Sequence, residues 1–303
     1  MQYKYYLAVI SAFTIWGFFS LILKSLDTFP AFDILIYRTA ISVFIMLLVS
    51  FVLRPKVLKK NINLYKTLPK KTKHKVLVVN LLSGLFLSLN WFFFIYVMNN
   101  VSVSATSLAY LICPILTMVL AYLILKEKLF KIQWFSAALS LISCLILSFG
   151  NFIDFFYSMI IAFTYAIYLV LQRKNQDMDR FLVLTFQIGV AVILLLPFSP
   201  NYISNIEKTS FFYIMIALIA VVFTIIPMYL NIYALKGLNS AVVGIFIYLN
   251  PIINFLIAVF YFKEHISLLQ GLSFGLIGIS VIIFNIPNFK NKINKRKAIH
   301  VKI

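Results

Sequence analysis

The sequence predicts an all-α membrane protein: ten transmembrane helices in two inverted five-helix repeats, with both termini in the cytoplasm. Three observations carry this. The 303 residues are 63% hydrophobic and 12% charged, with mean hydropathy +1.00, against roughly 45–50% and 25% in soluble domains. Apolar runs recur at about the 20 residues that cross a bilayer. The chain also resembles itself, with an odd number of such runs in each copy. A water-soluble globule of this size has no interior for so much apolar side chain. With 31 Phe and 17 Tyr, disorder is excluded too.

The first segment, 5–23, is too long an apolar run for a removable signal peptide, and no small-residue cleavage pattern follows it. The second, 33–53, is apolar apart from Arg38 and Asp33. A basic loop, 54–75, leads to the third segment, 76–98. Segments 102–125 and 132–149 complete the first half, the former with Pro114 near its middle. The second half reads 152–171, 181–197, 211–235, 241–262 and 266–286, with Pro251 in the fourth of these. Connections as short as Asn99-Asn100 and Gly150-Asn151 make their neighbours antiparallel hairpins. The runs are apolar throughout, which rules out a β-barrel, whose strands alternate over about 10 residues.

Lysine and arginine set the orientation. With the N-terminus inside, 23 of the 27 basic residues fall on the cytoplasmic side, nine of them between Arg54 and Lys75 and six after Asn288. Only Lys24, Lys208 and Lys263 fall outside, and Arg38 lies within a helix. The same asymmetry makes the net charge of +19 a topology signal rather than a nucleic-acid footprint. No nucleic-acid partner is expected. The basic runs 54–75 and 290–302 face the anionic lipid of the cytoplasmic leaflet.

At an offset of 137, residues 114–146 match 251–283 without a gap at 11 of 33 positions. The pairs include Pro114/Pro251, Lys126/Lys263, Glu127/Glu264, Gln133/Gln270, Ser136/Ser273 and Ser143/Ser280. At an offset of 150, Ala12-Phe13-Thr14 recurs as Ala162-Phe163-Thr164. Shared Pro, Lys-Glu, Gln and Ser at fixed spacing say more than shared Leu would. The units are 1–149, 150–287 and a basic tail, 288–303. Five helices per unit bring the second copy into the membrane from the opposite side. Inverted repeats of this kind build alternating-access transporters, with the site at the repeat interface and matched helix interruptions marking it. Pro114 and Pro251 are such a pair.

The interior lacks the groups for catalysis. Asp27, Asp33, Asp154, Glu207 and Glu264 fall at the outer connections, and Glu127, Asp177 and Asp179 at the inner face. The three histidines, His74, His265 and His300, are in loops or tail. No general acid–base pair or metal-ligand cluster is expected, nor any cofactor. What remains is intramembrane polarity, which is costly and therefore informative. Arg38 is the one charge within a span, where an arginine costs roughly 2.5–3.5 kcal/mol. Near the outer end it has two readings: a fixed fork for a carboxylate or other anion, or a side chain pairing with Asp33 or Asp27. The uncharged candidates are Asn90, Trp91, Tyr110, Gln187, Asn231, Tyr248, Asn250 and Asn254, with Trp16, Tyr165 and Tyr168 as an aromatic lining. Each amide serves equally as a tie between helices.

These residues carry a resemblance. Ile15-Trp16-Gly17, Ile34 through Arg38, Asn90-Trp91 through Phe94-Ile95 to Asn99-Asn100, and Ser107-Leu108 with Tyr110 ahead of Pro114 are all part of it. Glu127, Gln133-Trp134, Pro227, Tyr248, Pro251 and Glu264 continue it. The chain resembles the EamA-type transporters of the drug/metabolite transporter superfamily, most closely the RarD-like branch. The resemblance implies ten helices around a central cavity and export or exchange of small metabolites, amino acids or drug-like compounds. The chain departs from the family pattern at Cys113, where Asn is frequent, and at Tyr37, where His is common.

The functional expectation is a secondary transporter of small polar solutes in a bacterial cytoplasmic membrane, with helices 3, 4, 8 and 9 lining the cavity. No Walker-type phosphate loop is present. The alternative is a polytopic scaffold or signalling protein, which needs no polar cavity.

Overall fold

A computed structural model describes residues 3–149, 152–174, 178–261, 263 and 267–300. Gly150-Asn151, Asp177, Glu264 and His265, which figure in the sequence reading, lie outside the described residues. Every regular element described is helical. The main helices are α1 (Tyr3–Lys24), α2 (Ala31–Leu53), α3 (Lys70–Asn100), α4 (Val103–Leu125), α5 (Lys131–Leu147), α6 (Phe152–Lys174) and α7 (Arg180–Phe198). They continue with α8 (Ser210–Ala234), α9 (Ser240–Ile245, Phe246–Tyr248 and Leu249–Phe260) and α10 (Leu268–His300). Among the described residues nine are long and apolar enough to cross a membrane, and α5 is a shorter apolar helix of 17 residues.

The helices outrun the apolar runs that signal them. α3 starts at Lys70 rather than 76, because lysines are good helix formers and its basic first turns project beyond the hydrophobic span. For the same reason the expected loop 54–75 is largely helical, with a surface helix at Pro55–Thr67. Pro55 starts that helix, where the missing N–H costs nothing. The tail is also a continuation of helix, α10 running through Pro287 to His300.

The prolines act unequally. α4 passes through Pro114 without interruption, a correction to the expected matched breaks, whereas α9 winds into a 3-10 turn at Phe246–Tyr248 just ahead of Pro251. A third proline shapes α8. Pro227 has no N–H to donate to the carbonyl of Phe223 four residues earlier; the helix is π-wound over Ile219–Ile225. The Trp16 indole N–H of α1 donates to that carbonyl instead, at 2.8 Å.

Helix contacts fall into matched sets. α4 packs on α6 as α9 packs on α1, α3 on α6 as α8 on α1, and α3 on α7 as α8 on α2. The pairs α2–α7, α4–α9 and α5–α10 also meet. Along α5–α10 the Ser136 hydroxyl donates to the Ser280 carbonyl at 2.7 Å and Ser143 to the Ser273 carbonyl at 2.8 Å. The offset of 137 had paired these same four serines. Gln133 accepts from the backbone N–H of Phe130 and Gln270 from that of Ser267, so both helices start with the same cap. Lys126 (φ 55°) and Lys263 (φ 52°) are the non-glycine residues with positive φ among the described residues. The left-handed conformation costs an L-residue about 1–2 kcal/mol, and here it recurs at two lysines 137 residues apart, after α4 and α9.

Polar ties close both ends of the bundle. At the basic end the Glu127 carboxylate accepts from the backbone N–H groups of Ser240 (2.8 Å) and Ala241 (3.1 Å), so the end of α4 caps the start of α9. Arg54 pairs with Asp179 at 3.0 Å, and Arg173 donates to the carbonyl of Leu235. At the other end Asp33, fully buried, accepts from Lys208 at 2.9 Å and from the backbone of Ser204 at 2.9 Å.

Candidate functional site

The site grows from α2. Thr39 and Ser42 turn their hydroxyls onto their own helix, at the carbonyls of Leu35 and Arg38 respectively, each at 2.7 Å. Both hydroxyls are thereby satisfied, and Ser42 also reaches the Ala220 carbonyl of α8 at 3.3 Å. Arg38, the residue before Thr39, is not so satisfied. Its guanidinium lies between two aromatic faces, with Cζ 5.7 Å from the Phe19 ring centroid on α1 and 5.5 Å from the Trp91 centroid on α3. This is cation–π range. Its Nε is completely enclosed and has no hydrogen-bond partner.

The reading in which Arg38 pairs with Asp33 does not hold in this structure. Asp33 is taken by Lys208 and Ser204, and the two ion pairs among the described residues, Lys208–Asp33 and Arg54–Asp179, leave Arg38 out. A cation stacked on rings but without a counter-ion is thus held two turns into α2.

Beyond Arg38 the polar lining continues on α4, α6 and α8. Tyr110 lies within electrostatic range of Arg38, and Tyr110 and Cys113 are both within range of Tyr165. Pro114 adds a second group at this depth, since the Tyr110 carbonyl loses the N–H that a helix would offer it. Tyr165 and Tyr168 stack with centroids 5.8 Å apart. Asn231 donates to the Tyr165 hydroxyl at 3.4 Å. The Tyr168 hydroxyl and the Asn231 side-chain oxygen are enclosed without hydrogen-bond partners. Leaving such an atom unpaired costs about 1–3 kcal/mol, so three of them along one interior seam call for an explanation. Tyr248 reaches the same interior from the 3-10 turn of α9, fully buried near Cys113 and Cys144.

The other sequence candidates fall elsewhere. Asn90 sits beside Trp91 but turns to α6, donating to the Ile161 carbonyl (2.9 Å) and the Thr164 hydroxyl (3.3 Å). Gln187 belongs to a separate buried cluster towards the basic end. It donates to Asn80 at 2.8 Å and accepts from Gln172 at 2.6 Å. Asn250 accepts from Asn254 at 2.9 Å one turn along α9. α1, α2 and α6 contribute to the lining alongside the expected α3, α4, α8 and α9. Phe19 is the lining residue that the sequence did not single out, since one Phe among 31 carries no signal. Near the end opposite the basic one, Phe32, Phe92, Ile95, Tyr96, Asn99 and Asn100 line a cavity of about 150 Å³.

Comparison with known proteins bears directly on this arrangement. The chain is 27% identical over 289 residues to the uncharacterized transporter YojE of Bacillus subtilis, covering 93% of both chains. It is 25% identical over 283 residues to the protein RarD of Escherichia coli, covering 92% of both. One solved crystal structure shares the fold with a TM-score of 0.70 at 13% identity, over 91% of this chain and 94% of its own. The profile of the EamA-like transporter family matches twice, over residues 3–149 and 153–286. With an apolar helical bundle, an interior polar seam and that double match, the chain belongs to the EamA-like transporter family, as a multi-pass membrane transporter of the bacterial cytoplasmic membrane.

Proposed function

We propose that this transporter is a secondary carrier that moves small polar organic solutes bearing an anionic group, by alternating access, in export or exchange. The observation that carries this reading is Arg38: a charge inside a span, shelved by Phe19 and Trp91, with no counter-ion. The planar fork of a guanidinium matches a carboxylate. The rings stiffen it and exclude water, which strengthens its pull on an anion. Tyr110 stands beside the bound anionic group, while Tyr168 and Asn231 offer unpaired polar atoms to the rest of the solute. Asn90 and Gln187 hold helices in register around the site.

The two units 1–149 and 150–287 act as inverted repeats in this reading. The matched helix contacts, the crossed serines of α5 and α10 and the paired left-handed lysines support that symmetry. Alternating access then breaks the ties at one end while those at the other hold: Asp33–Lys208 on one side, Glu127 at α9 and Arg54–Asp179 on the other. Carboxylates at helix ends rather than mid-membrane favour exchange over a carboxylate proton relay.

The test is exchange in proteoliposomes against a panel of amino acids, small organic acids and amines. The expected outcome is efflux accelerated by solute on the far side, confined to members with an anionic group. Flux indifferent to far-side solute contradicts alternating access, and equal movement of amines contradicts the role of Arg38.

A further inference from the structure

The surface helix Pro55–Thr67 is not absorbed by the transport site. At 100° per residue its side chains divide cleanly. Val57, Leu58, Asn61, Ile62, Leu64 and Tyr65 share one arc, and Lys56, Lys59, Lys60 and Lys66 lie on the opposite one. No residue of this helix is buried. The middle of the apolar arc is half-covered by the protein, but its edges, Ile62 (45% exposed) and Leu64 (39% exposed), face outwards. Phe51, Val52 and Leu53, just before it at the end of α2, are exposed as a lipid-facing helix end would be. No acidic residue occurs between Arg54 and Lys75, where nine lysines and arginines do.

The helix is also fixed to the second half of the chain. Arg54 grips Asp179 through two donors, at 3.0 and 3.3 Å, and lies 5.3 Å from the Phe181 ring centroid. The Asn61 side-chain oxygen accepts from the backbone N–H of Asp179 at 3.0 Å. Asp179 is meanwhile the N-cap of α7, accepting from Phe181 and Leu182 at 3.1 and 3.2 Å. One residue therefore joins the start of α7 to both the N-cap and the middle of the surface helix.

We propose that Pro55–Thr67 docks in the plane of the cytoplasmic leaflet on anionic phospholipid. Ile62, on the edge of the arc next to Lys59 and Lys66, enters the headgroup boundary, the lysines contact lipid phosphates, and Arg54 with Asn61 hands that position to α7. An exposed apolar rim bordered by lysines, on a helix rooted at the end of a membrane span, fits an interfacial anchor. It does not fit a nucleic acid, which would leave the apolar rim in water. Lipid docking of this helix is independent of which solute the protein carries.

The experiment places an environment-sensitive fluorophore on Ile62→Cys in the full-length protein, whose native Cys113 and Cys144 are buried. Vesicles of phosphatidylcholine alone are compared with vesicles containing phosphatidylglycerol, each with a lipid-borne quencher. Quenching should rise with phosphatidylglycerol and fall again at high salt. Changing Lys56, Lys59, Lys60 and Lys66 to Gln should abolish the rise, each lysine accounting for about a fivefold weakening of docking. The same four changed to Arg should retain it, which separates charge from misfolding. Equal quenching in both vesicles, no quenching in either, or an unchanged response in the Gln variant overturns the proposal. So does quenching that RNA relieves and phosphatidylglycerol does not affect.

Discussion

Arg38 and Asn90 lie on neighbouring helices, and their fates show what one side chain reveals. A charge in an apolar run is anomalous wherever it falls, so Arg38 is legible in the sequence as a functional candidate. Its freedom is not, because only the fold shows that Asp33, five residues away, is occupied by Lys208. Asn90 and Gln187 are polar at the same kind of depth yet serve as ties. An amide that binds solute and one that joins two helices need the same chemistry, so residue type does not separate them. Asn90→Ala should therefore lower stability by about 0.6–2 kcal/mol, the range for interhelical hydrogen bonds in membranes. Thermal unfolding in detergent reads this, and the protein that remains folded should keep its preference for anionic solutes.

Helices were legible to within a few residues wherever apolarity marked them, and illegible where lysine-rich turns carried the helix past the membrane. The prolines make a related point. Sequence pairs Pro114 with Pro251, but whether a proline breaks a helix depends on what satisfies the carbonyl it orphans. At Pro227 that answer is visible, for Trp16 on α1 supplies the donor that the helix lacks. Trp16→Phe keeps the ring and removes the N–H. The Phe223 carbonyl is then left without this partner, and the expected cost is about 1–3 kcal/mol, seen as a lower unfolding temperature. An unchanged midpoint would mean that the carbonyl finds another donor within α8.

For the molecule as a whole, the self-similarity at an offset of 137 is what the sequence displays most plainly. Fixed spacings of Pro, Lys-Glu, Gln and Ser survive where Leu and Ile drift, because a cap, a left-handed turn or a serine crossing tolerates few alternatives. The Ser136–Ser280 and Ser143–Ser273 crossings and the twin caps on α5 and α10 sit on those conserved spacings of the chain with itself. The site was less legible, since it is assembled from six or more helices and its aromatic shelves are drawn from a pool of rings that mostly pack. The lysine asymmetry makes a further prediction at this scale. Asn63→Cys, exposed on the surface helix, should react with an impermeant thiol reagent only in inside-out vesicles. Labelling from the outside of intact cells would reverse the orientation and with it the assignment of each tie to a membrane face.

In the proposed mode of transport, Arg38 holds the anionic group of the solute. Counterflow of a transported carboxylate and of its neutral carboxamide, measured in wild-type protein and in Arg38→Gln, tests it most directly. Wild-type protein should prefer the acid, and the variant should lose most of that preference, moving acid and amide at similar rates. A variant that slows both solutes equally, with the preference intact, would contradict it and make Arg38 a part of the scaffold.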